Sequence, residues 1–169
     1  MIRKNPSGDI PAVHESAFVD PTAILCGKVI VEEDVFIGPY AVIRADEMDA
    51  AGEMKPIVIG AHSNIQDGVV IHCKAGSGVT IGSYTSIAHR SIVHGPCTVG
   101  DRSVVRHHSV VEGCHVPAGF HIPSTTNIHS DEDLARIQPV SSDAASFSES
   151  VAQANHALVQ GYKRIRNEF

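Results

Sequence analysis

Residues 19–43 read VDPTAILCGKVIVEEDVFIGPYAVI. An aliphatic side chain falls at every sixth position, Val19, Leu25, Val31, Ile37 and Ile43, and a small or β-branched residue stands four places after each of the first four, at Ala23, Val29, Val35 and Ala41. A period of six matches neither the turn of an α-helix, about 3.6 residues, nor the simple alternation of a long strand. The stretch therefore reads as short strands joined by regularly spaced corners.

The register resumes at Ile59, Ile65 and Ile71, and again at Ile81, Ile87, Val93, Val99, Val105 and Val111, with glycine directly after the aliphatic residue at Gly60, Gly82 and Gly100. Strands this short bury an apolar row only by stacking coil on coil, each backbone pairing with the next at about 4.8 Å. The expected fold is a mainly β, parallel β-helix of hexapeptide repeats; a sandwich of alternating strands has no reason to keep one six-residue register over so much of a chain. Residues 47–53 and 74–78 interrupt the repeat and are expected to bulge from corners. From Pro117 to Pro123 the pattern decays, which predicts the closing of the last coil.

After Pro139 the pattern turns helical. Ser146 and Glu149 have capping-box spacing, and Val151, Ala154, Leu158, Tyr162, Ile165 and Phe169 recur at three and four residues, predicting a terminal helix packed along the β-helix through that stripe. A shorter helix is expected over Asp131–Ile137, capped by Ser130. The organisation is thus a β-helix over 1–139 and a helix over 140–169, forming one structural unit.

A formal charge of −6 with no cluster of Lys and Arg argues against nucleic-acid and anionic-membrane partners. Aromatic residues make up 5% and Trp is absent, so aliphatic layers must fill the core. Cys26, Cys73, Cys97 and Cys114 lack both zinc-ribbon spacing and the density of a disulfide scaffold, and are expected to be reduced thiols. With no apolar leader in the first residues and no long apolar run, the sequence predicts a soluble, cytoplasmic protein.

Of the 11 histidines, His14, His62, His107, His108, His115, His121, His129 and His156 show no common geometry and read as surface or corner residues. His72 and His94 each directly follow a core aliphatic residue, and without the four-residue insertion they stand 18 positions apart, one three-sided turn. Two imidazoles on one face of neighbouring coils can share a metal. His89 lies five residues before His94, on the order of 16 Å of extended chain, whereas one ion accepts nitrogen at about 2.0–2.1 Å. His89 of the same chain is therefore poorly placed, but in a ring of three identical chains it can meet the His72–His94 face of a neighbour.

With RADE (44–47), NIQDG (64–68), VIH (70–72) and SIAHRSIVHGP (86–96) in view, the sequence resembles the γ-class carbonic anhydrases through nearly its whole length, including the tail around Asn155 and Gly161–Lys163. The resemblance implies a left-handed helix and a homotrimer with His72 and His94 of one subunit and His89 of its neighbour on zinc, or on iron(II) or cobalt. It further implies hydration of CO2 to bicarbonate by metal-activated water, Gln66 hydrogen-bonding the hydroxide, Glu47 taking or relaying its proton, and Asn155 orienting CO2. Arg44 and Asp46 resemble the pair that joins subunits.

Some members of that family carry a glutamate in a long loop after the first ligand. Residues 73–78, CKAGSG, hold no carboxylate, whereas the 47–53 loop brings Asp49 and Glu53 as substitutes. The segment after Val105 reads about a coil short of the family. A hexapeptide acyltransferase or CoA thioesterase, and a non-catalytic γ-class-like metal-binding protein, are the competing readings.

Overall fold

The computed structural model describes residues 1–137 and 142–166; the expected boundary at 139/140 lies outside the described residues. The chain winds into a three-faced parallel β-helix, left-handed as the resemblance implies. One face stacks seven strands: Ile2–Arg3, Ile24–Gly27, Val42–Ala45, Val70–Cys73, Ile92–Gly95, Val110–Glu112 and Asn127–Ile128. The second stacks six, from Ala12–Val13 to His115–Val116, and the third six, from Phe18–Val19 to His121–Ile122.

The six-residue register is the reason. On the first face Leu25, Ile43, Ile71, Val93, Val111 and Ile128 point inward at 0% exposure, and Ile37, Ile65, Ile87, Val105 and Ile122 do the same on the third. Each buried Ile or Val contributes about 1.5–3 kcal/mol relative to exposure. The residues that alternate with them in each strand point outward, so every face carries external ladders running from coil to coil.

Corners take up the chain reversal. Tyr40, Arg90 and His108 hold left-handed backbone (φ 59°, 58° and 58°) at successive levels of one corner, where Gly68 stands at φ 69°. Gly60 permits close coil stacking: a Cβ there would lie 2.7 Å from the backbone of Gly82 and Ser83. Buried hydroxyls tie coils together, as when Ser91 Oγ donates to the Arg106 carbonyl at 2.8 Å and Ser109 Oγ to that of Pro123 at 2.8 Å.

The β-helix does not close at Pro117–Pro123. Val116, Ile122 and Ile128 continue the core at 0% exposure. The step from Val111 to Val116 is five residues rather than six, which breaks the sequence phase while the strand register persists, Thr98 opposite His115 and Val99 opposite Val116. Helix α1 (Asp131–Ala135) then follows, with the Ser130 hydroxyl accepting from Asp133 N as its cap.

Helix α2 spans Ser142–Arg166, so Ser146 lies inside it rather than at its cap. Among its described side chains the buried ones are Asn155 and Val159, at 9% and 0%, whereas Leu158 and Ile165 of the expected stripe are 44% and 52% exposed. The inward positions shift by one residue at Asn155 and Val159, while Tyr162 makes its expected contact, stacking on Phe18 (centroids 4.4 Å), and Lys163 bonds Asp34 at 2.6 Å. The side chains of Val151 and Phe169 lie outside the described residues. Among the described residues no helix is long and apolar enough to cross a membrane, and all four cysteines are free and buried.

Candidate metal centre

One outward ladder on the seven-stranded face carries Cys26, Arg44, His72, His94 and Glu112 at successive coils, each opposite the next in strand register. The His72 and His94 rings stand with centroids 5.5 Å apart, tilted by 51°. Two imidazoles sharing a tetrahedral ion at about 2.0–2.1 Å per nitrogen carry their ring centres roughly 5 Å apart. His72 Nε2 is buried without a hydrogen-bond partner. Two carboxylate oxygens lie near it without forming a hydrogen bond, Glu47 Oε1 at 3.4 Å and Asp46 Oδ1 at 3.6 Å. An orphaned nitrogen, a ring pair at sharing distance and an all-imidazole donor set fit a borderline-soft divalent ion such as zinc.

Asp46 is held by Arg44, whose Nε and Nη2 donate to its two oxygens at 3.0 and 3.1 Å. Burial works to raise the Asp46 carboxyl, but the Arg44 hydrogen bonds and charge outweigh it, leaving its pKa below the ordinary carboxylate value. The hydrogen bond to Asp46 in turn raises the Arg44 guanidinium. This pair fixes the strand end from which Glu47 departs.

The other candidate residues occupy a different place. Gln66 is buried on the third face, its Nε2 donating to Asn64 Oδ1 at 3.1 Å; Asn64 Nδ2 donates to Ser86 Oγ at 2.7 Å. Asn155 of α2 donates to the same Asn64 oxygen at 3.4 Å. His89 is half-exposed at the adjoining corner, Nδ1 3.8 Å from Asp67 and its ring 5.3 Å from that of His107. Burial, with His89 second, pulls the His107 pKa below its usual value. Among the described residues no three His, Cys, Asp or Glu side chains converge as a metal-holding group. The structure thus brings Arg44, Asp46, Glu47, His72 and His94 together, gathers Gln66, Asn155 and His89 on the neighbouring face and corner, and leaves a gap between the sets within one chain.

The 47–53 loop leans on the loop after His72. Gly76 N donates to the Glu47 carbonyl at 3.2 Å, and a Cβ on Gly76 would meet Asp49 at 2.9 Å. Asp49 Oδ1 accepts from the backbone of Ala51 and Glu53, both at 2.9 Å, so that oxygen braces the loop. Asn64 and Glu112 are site residues that the sequence motifs do not single out. Asn64 is two residues before Gln66 on the same strand face, and Glu112 is 18 after His94, so alternation and repeat position were the signals that pointed to them.

A carbonic anhydrase of Methanosarcina thermophila is 32% identical over 197 aligned residues, covering 94% of this chain and 77% of that protein. The chain belongs to the γ-class carbonic anhydrase family. This γ-class chain is also 33% identical over 177 residues to the carboxysome assembly protein CcmM of Nostoc sp., spanning 89% of the chain but 31% of that longer protein. The carnitine operon protein CaiE of Escherichia coli is 38% identical over 104 residues, 62% of the chain and 49% of CaiE. In fold, the γ-class chain is similar to a hexapeptide transferase family protein from Anaplasma phagocytophilum, with a TM-score of 0.69 at 23% identity over 96% of this chain and 98% of that one. No protein-family model matches the chain.

Proposed function

We propose that the chain hydrates CO2 to bicarbonate at a metal centre shared between subunits of a homotrimer. The observation that carries this reading is the His72–His94 pair, in strand register with rings at ion-sharing distance and a buried unpartnered Nε2. The two sets of candidate residues lie on different faces, so a ring of identical chains lets the first set of one subunit meet His89 and Gln66 of the partner subunit. An outward apolar row beside the histidines, with Ile92 40% exposed, offers that contact a dry surface.

His72 and His94, with His89 of the partner subunit, would hold zinc, or iron(II) or cobalt in its place, and the ion when bound would lower the pKa of water to about 7. Glu47, whose carboxylate lies beside His72 Nε2, accepts the proton released there. Gln66 orients the attacking oxygen through its amide. Asn155, buried against Asn64, positions CO2 from the helix. The Arg44–Asp46 pair holds the strand end rigid. Asp49, whose Oδ1 accepts from the loop backbone, is the candidate to pass protons outward from Glu47.

Stopped-flow CO2 hydration on zinc- and iron-loaded protein tests the reading. Turnover that depends on metal and disappears in His94→Ala supports it. Bound metal without turnover points instead to a non-catalytic relative, and a metal-free preparation that transfers acyl groups points to the acyltransferase that shares this fold.

A further inference from the structure

The ladder that carries His72 and His94 continues one coil further. Glu112 stands opposite His94 in strand register, with Oε1 3.4 Å from His94 Nδ1 and Oε2 3.3 Å from His129 Nδ1. His129 is itself tethered, because its backbone N–H donates to Asp133 Oδ2 of α1 at 3.1 Å. The carboxylate is therefore held between two imidazoles at the end of the β-helix.

A neutral imidazole carries one hydrogen on one of its two nitrogens, and a carboxylate beside Nδ1 draws the hydrogen there. That leaves the lone pair on Nε2, the nitrogen a shared ion needs. Ligand histidines are oriented in this way by carboxylates that never touch the metal.

We propose that Glu112 is the positioning residue of the metal centre: its carboxylate fixes the Nδ1–H tautomer and ring plane of His94. The inference rests on the metal-centre reading above and assigns Glu112 no contact with ion or substrate. Glu112 is 48% exposed, so replacing it leaves the core intact.

Cobalt(II) titration of the metal-free full chain, followed by visible absorbance, tests the assignment alongside thermal unfolding and sedimentation. Glu112→Ala is expected to weaken cobalt binding ~10–100-fold with unfolding temperature and assembly size unchanged. Glu112→Gln keeps an oxygen to accept from Nδ1–H and is expected to recover most of the affinity. Imidazole ¹⁵N shifts of the metal-free protein are expected to show His94 as the Nδ1–H tautomer in the wild type and as a mixture in Glu112→Ala. Wild-type affinity in Glu112→Ala overturns the inference while leaving the metal centre standing. A Gln variant as weak as the Ala variant overturns it too, because charge rather than orientation is then responsible. A wild type that binds no cobalt removes both readings.

Discussion

Lys163 of α2 donates to Asp34 at 2.6 Å, joining residues 129 positions apart. The hydrogen bond and charge of Lys163 hold the Asp34 carboxyl below its ordinary value of 3.8, against the opposing pull of burial. A carboxyl depressed on folding stabilises the protein above its unfolded pKa and loses that contribution as pH falls through the folded one. We expect Asp34→Asn to cost about 0.5–1 kcal/mol at pH 7 and the gap to the wild type to close as the pH drops below the ordinary carboxyl value. Thermal unfolding of both proteins across the acid range measures this; a gap that persists unchanged at low pH contradicts it.

The proposed sharing of the centre between subunits makes a complementation experiment decisive. His89→Ala and His94→Ala chains are each expected to stay folded, with little bound metal. Co-expressed, they form boundaries at which an intact His72–His94 pair faces an intact His89, so metal content should return in part. Metal analysis of the mixed assemblies that finds no recovery argues against a shared site.

Glu47 lies 3.4 Å from His72 Nε2, and its side chain is half-exposed. Glu47→Ala is expected to keep metal and structure while lowering CO2 hydration by roughly 10²-fold, in the range of a lost proton acceptor. Stopped-flow rates equal to wild type would show that the proton leaves by another group.

Ile71, at 0% exposure, sits inside the coil whose next residue is His72. Ile71→Ala is expected to cost about 2–5 kcal/mol through lost burial and the cavity left behind. Urea unfolding is the measurement, and a loss well under 1 kcal/mol would mean that the coils collapse onto the gap.

Much of this architecture is legible in the residues. Inward positions from Val19 to Val111 are filled by one kind of side chain at one spacing, because a stack of identical coils has one cross-section to fill. The short step after Val111 erases the phase without breaking the pairing, since a corner can lose a residue that a strand cannot. The face of α2 was misread for a related reason: Asn155 is polar, yet it is buried because Asn64 receives it, while the apolar Leu158 turns outward. Glu112 carries no motif of its own, and its role follows from its place in the column opposite His94. The separation of Gln66 and His89 from His72 and His94 depends on which side of a corner each falls, which only the folded coil displays.

The two departures from the repeat, residues 47–53 and 74–78, meet where Asp49 presses on Gly76. Neither excursion disturbs the strands beneath it, which keep their register on both sides. Yet each excursion is the other's buttress at the rim of the histidine ladder. A graft that lengthens one must be matched by its counterpart, making this pair of corners the natural dial for tuning what enters and leaves.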